Sequence, residues 1–142
     1  MALLQEVLDA VSIPVLAAGG IGTARGVAAA LAAGAAGVRV GTRFLAATEA
    51  GADPHYVQAL SAAHAEDTVL TDRFSPPGIP IRARVLQAGM EIGQPLLAGE
   101  STGAVQGVQP AADILRELAD GAERLLCQAT QLVTPAPQTF AR

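Results

Sequence analysis

Two glycine clusters hold the residue types best suited to chemistry in this sequence: Ala17-Ala18-Gly19-Gly20-Ile21-Gly22 and Val40-Gly41-Thr42-Arg43-Phe44. Each follows a short apolar run, Ile13 to Ala18 and Ala36 to Val40. Glycine just past a strand lets main-chain N–H groups approach a ligand without an intervening Cβ, and the helix that follows adds partial positive charge. Thr42 offers a hydroxyl and Arg43 a cation, so the two loops together suit a phosphate monoester. The same glycines would also serve as plain strand-to-helix turns. Their repetition in successive units favours the anion. No Gly-Lys-Ser/Thr motif is present, and Gly20-Ile21-Gly22 lacks the third glycine and downstream acid of a dinucleotide fingerprint.

The remaining reactive side chains read as bland. His55 and His64 fall on a helical stretch and its exit, where solvated or packing roles are expected. Glu6 with Asp9, and Glu66 with Asp67, have no apolar surroundings to push their pKa values apart. His64 and Glu66 lack a further convergent ligand for a metal. Ser101-Thr102 lies in a glycine-rich loop without a base. Cys127, the sole cysteine, is expected to be a buried or half-buried thiol with no activating neighbour. No catalytic residue and no metal ligand is assigned.

A formal charge of −4, nine scattered basic residues and 3% aromatics argue against nucleic-acid binding, which needs a basic footprint and stacking platforms. The Ala-rich stretch from Val27 to Ala36 is broken by Gly34, and no apolar run approaches the roughly 18 residues of a membrane span. The opening MALLQEVLDA lacks a basic start and a small-residue cleavage site, so a cytoplasmic location is expected.

The glycine loops need a frame, and the periodicity supplies one. Apolar residues at Leu3, Leu4, Val7 and Leu8 predict the last turns of a helix. Ile13 to Ala18 reads as a strand buried on both faces, with Pro14 at its tolerant first positions. Thr23 suits the N-cap of a helix carrying Val27 and Leu31, which Gly34 ends. A second buried strand at Ala36 to Val40 completes a parallel βαβ unit. Asp53 and Pro54 open another helix through Val57 and Leu60, and Asp67 to Asp72 reads as extended. Residues 73–84 read as a proline-rich loop and 88–109 as an irregular, glycine-rich segment or flexible lid. Pro110 starts an amphipathic helix with Ile114, Leu115, Leu118, Ala122, Leu125 and Leu126 on one stripe. Residues 1–130 are assigned to one domain and 131–142 to a disordered tail.

Residues 13–50, IPVLAAGGIGTARGVAAALAAGAAGVRVGTRFLAATEA, resemble the seventh and eighth βα units of nitronate monooxygenases and of related flavin-dependent enoyl reductases. Residues 67–85 and 96–126 are similar to the segments that follow there. The resemblance implies an α/β fold, part of a TIM (β/α)₈ barrel with an extra C-terminal helix. A whole barrel takes about 250 residues, against 142 here. It implies FMN as cofactor, with Gly20 and the Arg39, Val40, Gly41 and Thr42 segment on its phosphate and Gly19 supporting the turn. Relatives commonly carry a neutral residue where this chain has Arg39. The family's catalytic histidine belongs to an earlier loop that this sequence does not contain. The implied function is an FMN-dependent oxidoreductase acting on a nitronate-like small molecule, this chain anchoring the flavin phosphate and being inactive alone. An enoyl-reductase portion and a non-catalytic phosphate-binding module are the alternatives. Self-association, or pairing with a missing N-terminal half, is expected from unpaired strand edges.

Overall fold

A computed structural model describes residues 1–133. The chain is α/β. Helix α1 (Ala2–Ala10) leads to β1 (Leu16–Ala18), α2 (Ala24–Ala32), β2 (Gly37–Arg39) and the one-turn α3 (Thr42–Leu45). Then come α4 (Pro54–Ala62), an antiparallel pair β3 (Thr68–Thr71) and β4 (Ala83–Leu86), α5 (Gln87–Ile92), a 3₁₀ turn at Glu100–Ala104 and the long α6 (Ala111–Val133).

Strands β1 and β2 pair in parallel, Leu16 opposite Gly37, Ala17 opposite Val38 and Ala18 opposite Arg39. The Ala36 N–H donates to the Val15 carbonyl at 2.8 Å and extends the ladder by one residue. Both strands are shorter than the apolar runs suggest. They are not buried on both faces either, since Leu16 and Ala18 are exposed. A two-stranded sheet has an open edge on each side, and α2 and α6 cover only part of it.

The helix signals act as their chemistry requires. The Thr23 hydroxyl accepts the Gly26 N–H at 3.2 Å at the start of α2, and Gly34, φ 104°, turns the chain out of it. The Asp53 carboxylate accepts the His55 N–H at 2.8 Å ahead of Pro54. Glu49 accepts the Ala111 N–H at 2.8 Å and so satisfies one of the orphan donors at the start of α6.

Two apolar clusters hold the structure together. In the first, Val27 and Ala28 of α2 meet Ile114, Leu118 and Ala122 of α6, with Val38 and Val40 packed alongside. In the second, Val57 and Leu60 of α4 meet Leu86, Ala98 and Val105. The neighbouring residues Ala46 and Ala47, just after α3, each enter a different cluster. That short helix therefore joins the two.

Several expectations need correction. Residues 88–109 are not a free lid: they contain most of α5 and the 3₁₀ turn, and Thr102 is completely buried. The loop read at 73–84 gives way to β4 at Ala83. Leu115 is 60% exposed, because the α6 stripe that faces α2 runs through Ile114, Leu118 and Ala122 instead. Cys127 is exposed as well, lying on the part of α6 beyond its buried stripe. The helix continues to Val133, past the tail boundary that the sequence suggests, and residues 134–142 lie outside those described.

The α2–α6 packing has a direct test. A Cβ on Gly121 would lie 2.5 Å from the Ala24 Cβ, closer than two carbons tolerate. Gly121→Ala gains about 1 kcal/mol of helix propensity and loses about 1–3 kcal/mol to overpacking. The overpacking should win and lower the melting temperature. A rise would show that the helices do not meet there.

Candidate functional site

The β1–β2 register decides where the glycine turns lie. With Ala18 opposite Arg39 in a parallel pair, both strands end side by side, and their following turns open on one cleft of about 280 Å³. Gly19, Gly20, Arg39, Gly41 and Thr42 all line it. Val40 does not, because strand alternation turns its side chain into the α2–α6 core.

The glycines there have different reasons to be glycine. Gly19 and Gly20 have φ of 96° and 68°, a left-handed backbone that side chains oppose. Gly41 has φ −110°, open to any residue, and a Cβ there would meet nothing within 4 Å. Among the described residues neither backbone nor packing calls for glycine at 41. The space beside it is the cleft itself. The N–H groups of Gly20 and Thr42 donate to no main-chain carbonyl among the described residues.

Thr42 is fixed by its own hydrogen bond: its hydroxyl oxygen accepts the Gly99 N–H at 2.9 Å. The hydroxyl hydrogen is left to donate elsewhere. A Cβ on Gly99 would come within 3.0 Å of that oxygen, so glycine at 99 permits the approach.

Arg43 departs from the sequence reading. It is 1% exposed and points away from the cleft, and its Nη2 donates to Gln109, just ahead of α6, and pairs with Glu117 of α6 at 3.1 Å. Its Nη1 is buried without a partner among the described residues. A buried guanidinium needs acceptors close by, and Gln109, just before α6, and Glu117, within it, supply them to Nη2. The cation at the cleft is Arg39, which is exposed and has no ion-pair partner among the described residues. No carboxylate among the described residues lines the cleft, and nearby Glu100 pairs with Arg84 at 2.9 Å. Helix dipoles add little: α3 has four residues and the first turn of α2 is capped by Thr23.

Among the described residues the arrangement is a small, acid-free hollow with main-chain donors, the hydroxyl-bearing residues Thr42 and Ser101, and one cation. A family model, "Nitronate monooxygenase", matches residues 1–98. The chain belongs to the nitronate monooxygenase family. It is 48% identical over 75 residues to a probable nitronate monooxygenase of Bacillus subtilis (strain 168), covering 53% of this chain and 22% of that protein. A probable nitronate monooxygenase of Staphylococcus haemolyticus (strain JCSC1435) is 45% identical over 75 residues, 53% of this chain and 21% of that protein. The match thus spans about a fifth of these relatives' length. Among solved structures, FabK from Thermotoga maritima superposes with a TM-score of 0.78 at 27% identity, covering 92% of this chain and 51% of that one. The nitroalkane oxidase from Streptomyces ansochromogenes gives 0.73 at 29% identity, covering 93% and 44%.

In this family member the third wall of the cleft comes from Gly99 and Ser101, beyond the residues that the family model matches. Sequence reasoning missed them because a glycine-rich stretch without periodicity carries no sign of what it packs against. The available hint was the likeness of residues 96–126 to the family's closing loop. Tyr56 steadies this wall, its hydroxyl donating to the Leu97 carbonyl. His55 and His64 are exposed and line no part of the cleft. The His64 N–H donates to the Asp67 carboxylate at 2.8 Å, a turn-stabilising contact.

Burial raises the Tyr56 pKa above the ordinary phenol value. The chain has one tyrosine and no tryptophan, so an ultraviolet titration reads this group alone. Its midpoint should lie above about 10. Because the folded pKa is raised, this contribution to stability is complete below the unfolded value and is lost as pH climbs from there toward the folded one. A midpoint at or below the free-phenol value would place Tyr56 in solvent.

Proposed function

We propose that this chain is the flavin-phosphate-anchoring part of an FMN-dependent oxidoreductase of the nitronate monooxygenase type. The observation that carries this reading is the shared, acid-free cleft of the two glycine turns, with Gly41 open to it for no reason among the described residues. On this reading the N–H groups of Gly20, Gly41 and Thr42 and the Thr42 hydroxyl hold the phosphate. Gly19 supports the turn and Val40 contributes main chain only. Arg39 adds an exposed charge, worth about 0–1 kcal/mol. FMN, when bound, supplies the redox chemistry, exchanging electrons with a nitronate-like small molecule and with O₂. No residue of this chain is assigned to the chemical step, and the chain alone is inactive.

The parallel β1–β2 pair with its crossover α2 is a repeating unit of a (β/α)₈ barrel, and part of such a barrel is the proposed architecture. Open edges on the pair support it. So does an apolar groove of about 630 Å³ along α1, β1 and α2, lined by Leu3, Leu4, Val7 and Leu16. Further strands, from an N-terminal half or a second copy, would cover both. No helix among the described residues is long and apolar enough to cross a membrane, and the reading places the enzyme in the cytoplasm with no nucleic-acid or membrane partner.

The test is flavin titration of the chain, followed by quenching of flavin fluorescence. Gly41→Asp puts a carboxylate in the cleft and should weaken FMN by at least about tenfold, about 1.4 kcal/mol. Arg39→Gln should cost less than about fivefold, since an exposed charge contributes little. Equal FMN affinity in wild type and Gly41→Asp would remove the site.

A further inference from the structure

The geometry points to Ser101 as a third arm of the phosphate site, its hydroxyl donating to the anion held between the two glycine turns. Residues 99–104 then act as a fixed clamp. This rests on the cleft being a phosphate site and adds a residue that neither turn contains.

Ser101 lines the same cleft as Gly20 and Thr42, yet its hydroxyl makes no hydrogen bond among the described residues, whereas its neighbours are all engaged. The Gly99 N–H donates to the Thr42 hydroxyl at 2.9 Å. Glu100 pairs with Arg84. The Thr102 hydroxyl, completely buried, donates to the Leu60 carbonyl at 3.1 Å. Inside the segment the Thr102 N–H donates to the Gly99 carbonyl at 3.0 Å and the Val105 N–H to the Thr102 carbonyl at 2.8 Å. Ser101 is held from both sides while its own donor stays free.

The first glycine turn is cut to receive this segment. A Cβ on Gly22 would lie 2.9 Å from the Ser101 Cβ and 3.0 Å from the Ala104 Cβ. Gly22 does not have a positive φ, so the backbone alone does not ask for glycine. The close seat of Ser101 does. A serine hydroxyl is a compact neutral donor, and with the Thr42 hydroxyl it offers a phosphate monoester two donors from separate elements. Hydrogen bonds to an ionised acceptor are stronger than neutral ones.

The experiment titrates wild type, Ser101→Ala, Gly22→Val and the double variant with FMN, riboflavin and inorganic phosphate. Flavin fluorescence follows the first two, and phosphorus NMR the third. Ser101→Ala should weaken FMN by about tenfold or more, as expected for a hydrogen bond to a charged group, and should weaken inorganic phosphate in parallel. Riboflavin, which lacks the phosphate, should bind as to wild type. Gly22→Val, by unseating the clamp, should lose the same FMN preference with Ser101 still present. The double variant should lose no more than Gly22→Val alone, since both act on one contact.

An unchanged FMN-to-riboflavin ratio in Ser101→Ala, or an equal loss for both flavins, would overturn the clamp. If Gly41→Asp still weakens FMN in that case, the phosphate cleft stands without it. Wild type binding neither flavin nor phosphate would overturn both.

Discussion

Everything at the cleft depends on one pairing, Ala18 beside Arg39 in a parallel ladder. Parallel strands end at the same side of a sheet, so the turns that leave them must be neighbours. Two three-residue strands are too short to hold that register by hydrogen bonds alone. The crossover helix α2 keeps it, pressed between the strands and α6 through Val27, Ala28, Ile114, Leu118 and Ala122. The C-terminal helix, far along the chain from either glycine turn, is thus the support on which their convergence rests.

Two arginines four residues apart show how burial assigns roles. Arg39 stays exposed at the cleft and has no ion-pair partner among the described residues. Arg43 is enclosed and spends its charge on Gln109 and Glu117, because a guanidinium out of water needs acceptors at hand. In doing so it ties α3 to α6 and fixes the one-turn helix that begins with Thr42. The cation that lines the cleft is the one nearer solvent. The other acts through position.

The segment after β4 shows a similar economy of small residues. Gly22 and Gly99 each remove a side chain where a side chain of another segment comes close to the backbone, Ser101 at one and Thr42 at the other. These contacts close the cleft on its third side. They also join the α2–α6 core to the α4 core, since Thr102 reaches Leu60 from the same segment.

Local chemistry was legible in the sequence. The Thr23 and Asp53 caps, the Gly34 stop and the βαβ order all follow from interactions within a few residues, and the glycine turns were recognisable because a strand-then-glycine pattern needs no distant partner. The direction of Arg43, the exposure of Cys127 and Leu115, and the docking of residues 99–104 were decided only by the tertiary structure. Each depends on which surface another element covers, and sequence spacing holds no record of contacts between residues 57 or 74 positions apart, such as Thr42 with Gly99 and Arg43 with Glu117. A glycine announces a turn from its own position, whereas a glycine kept for a close approach is explained only by the atom it makes room for.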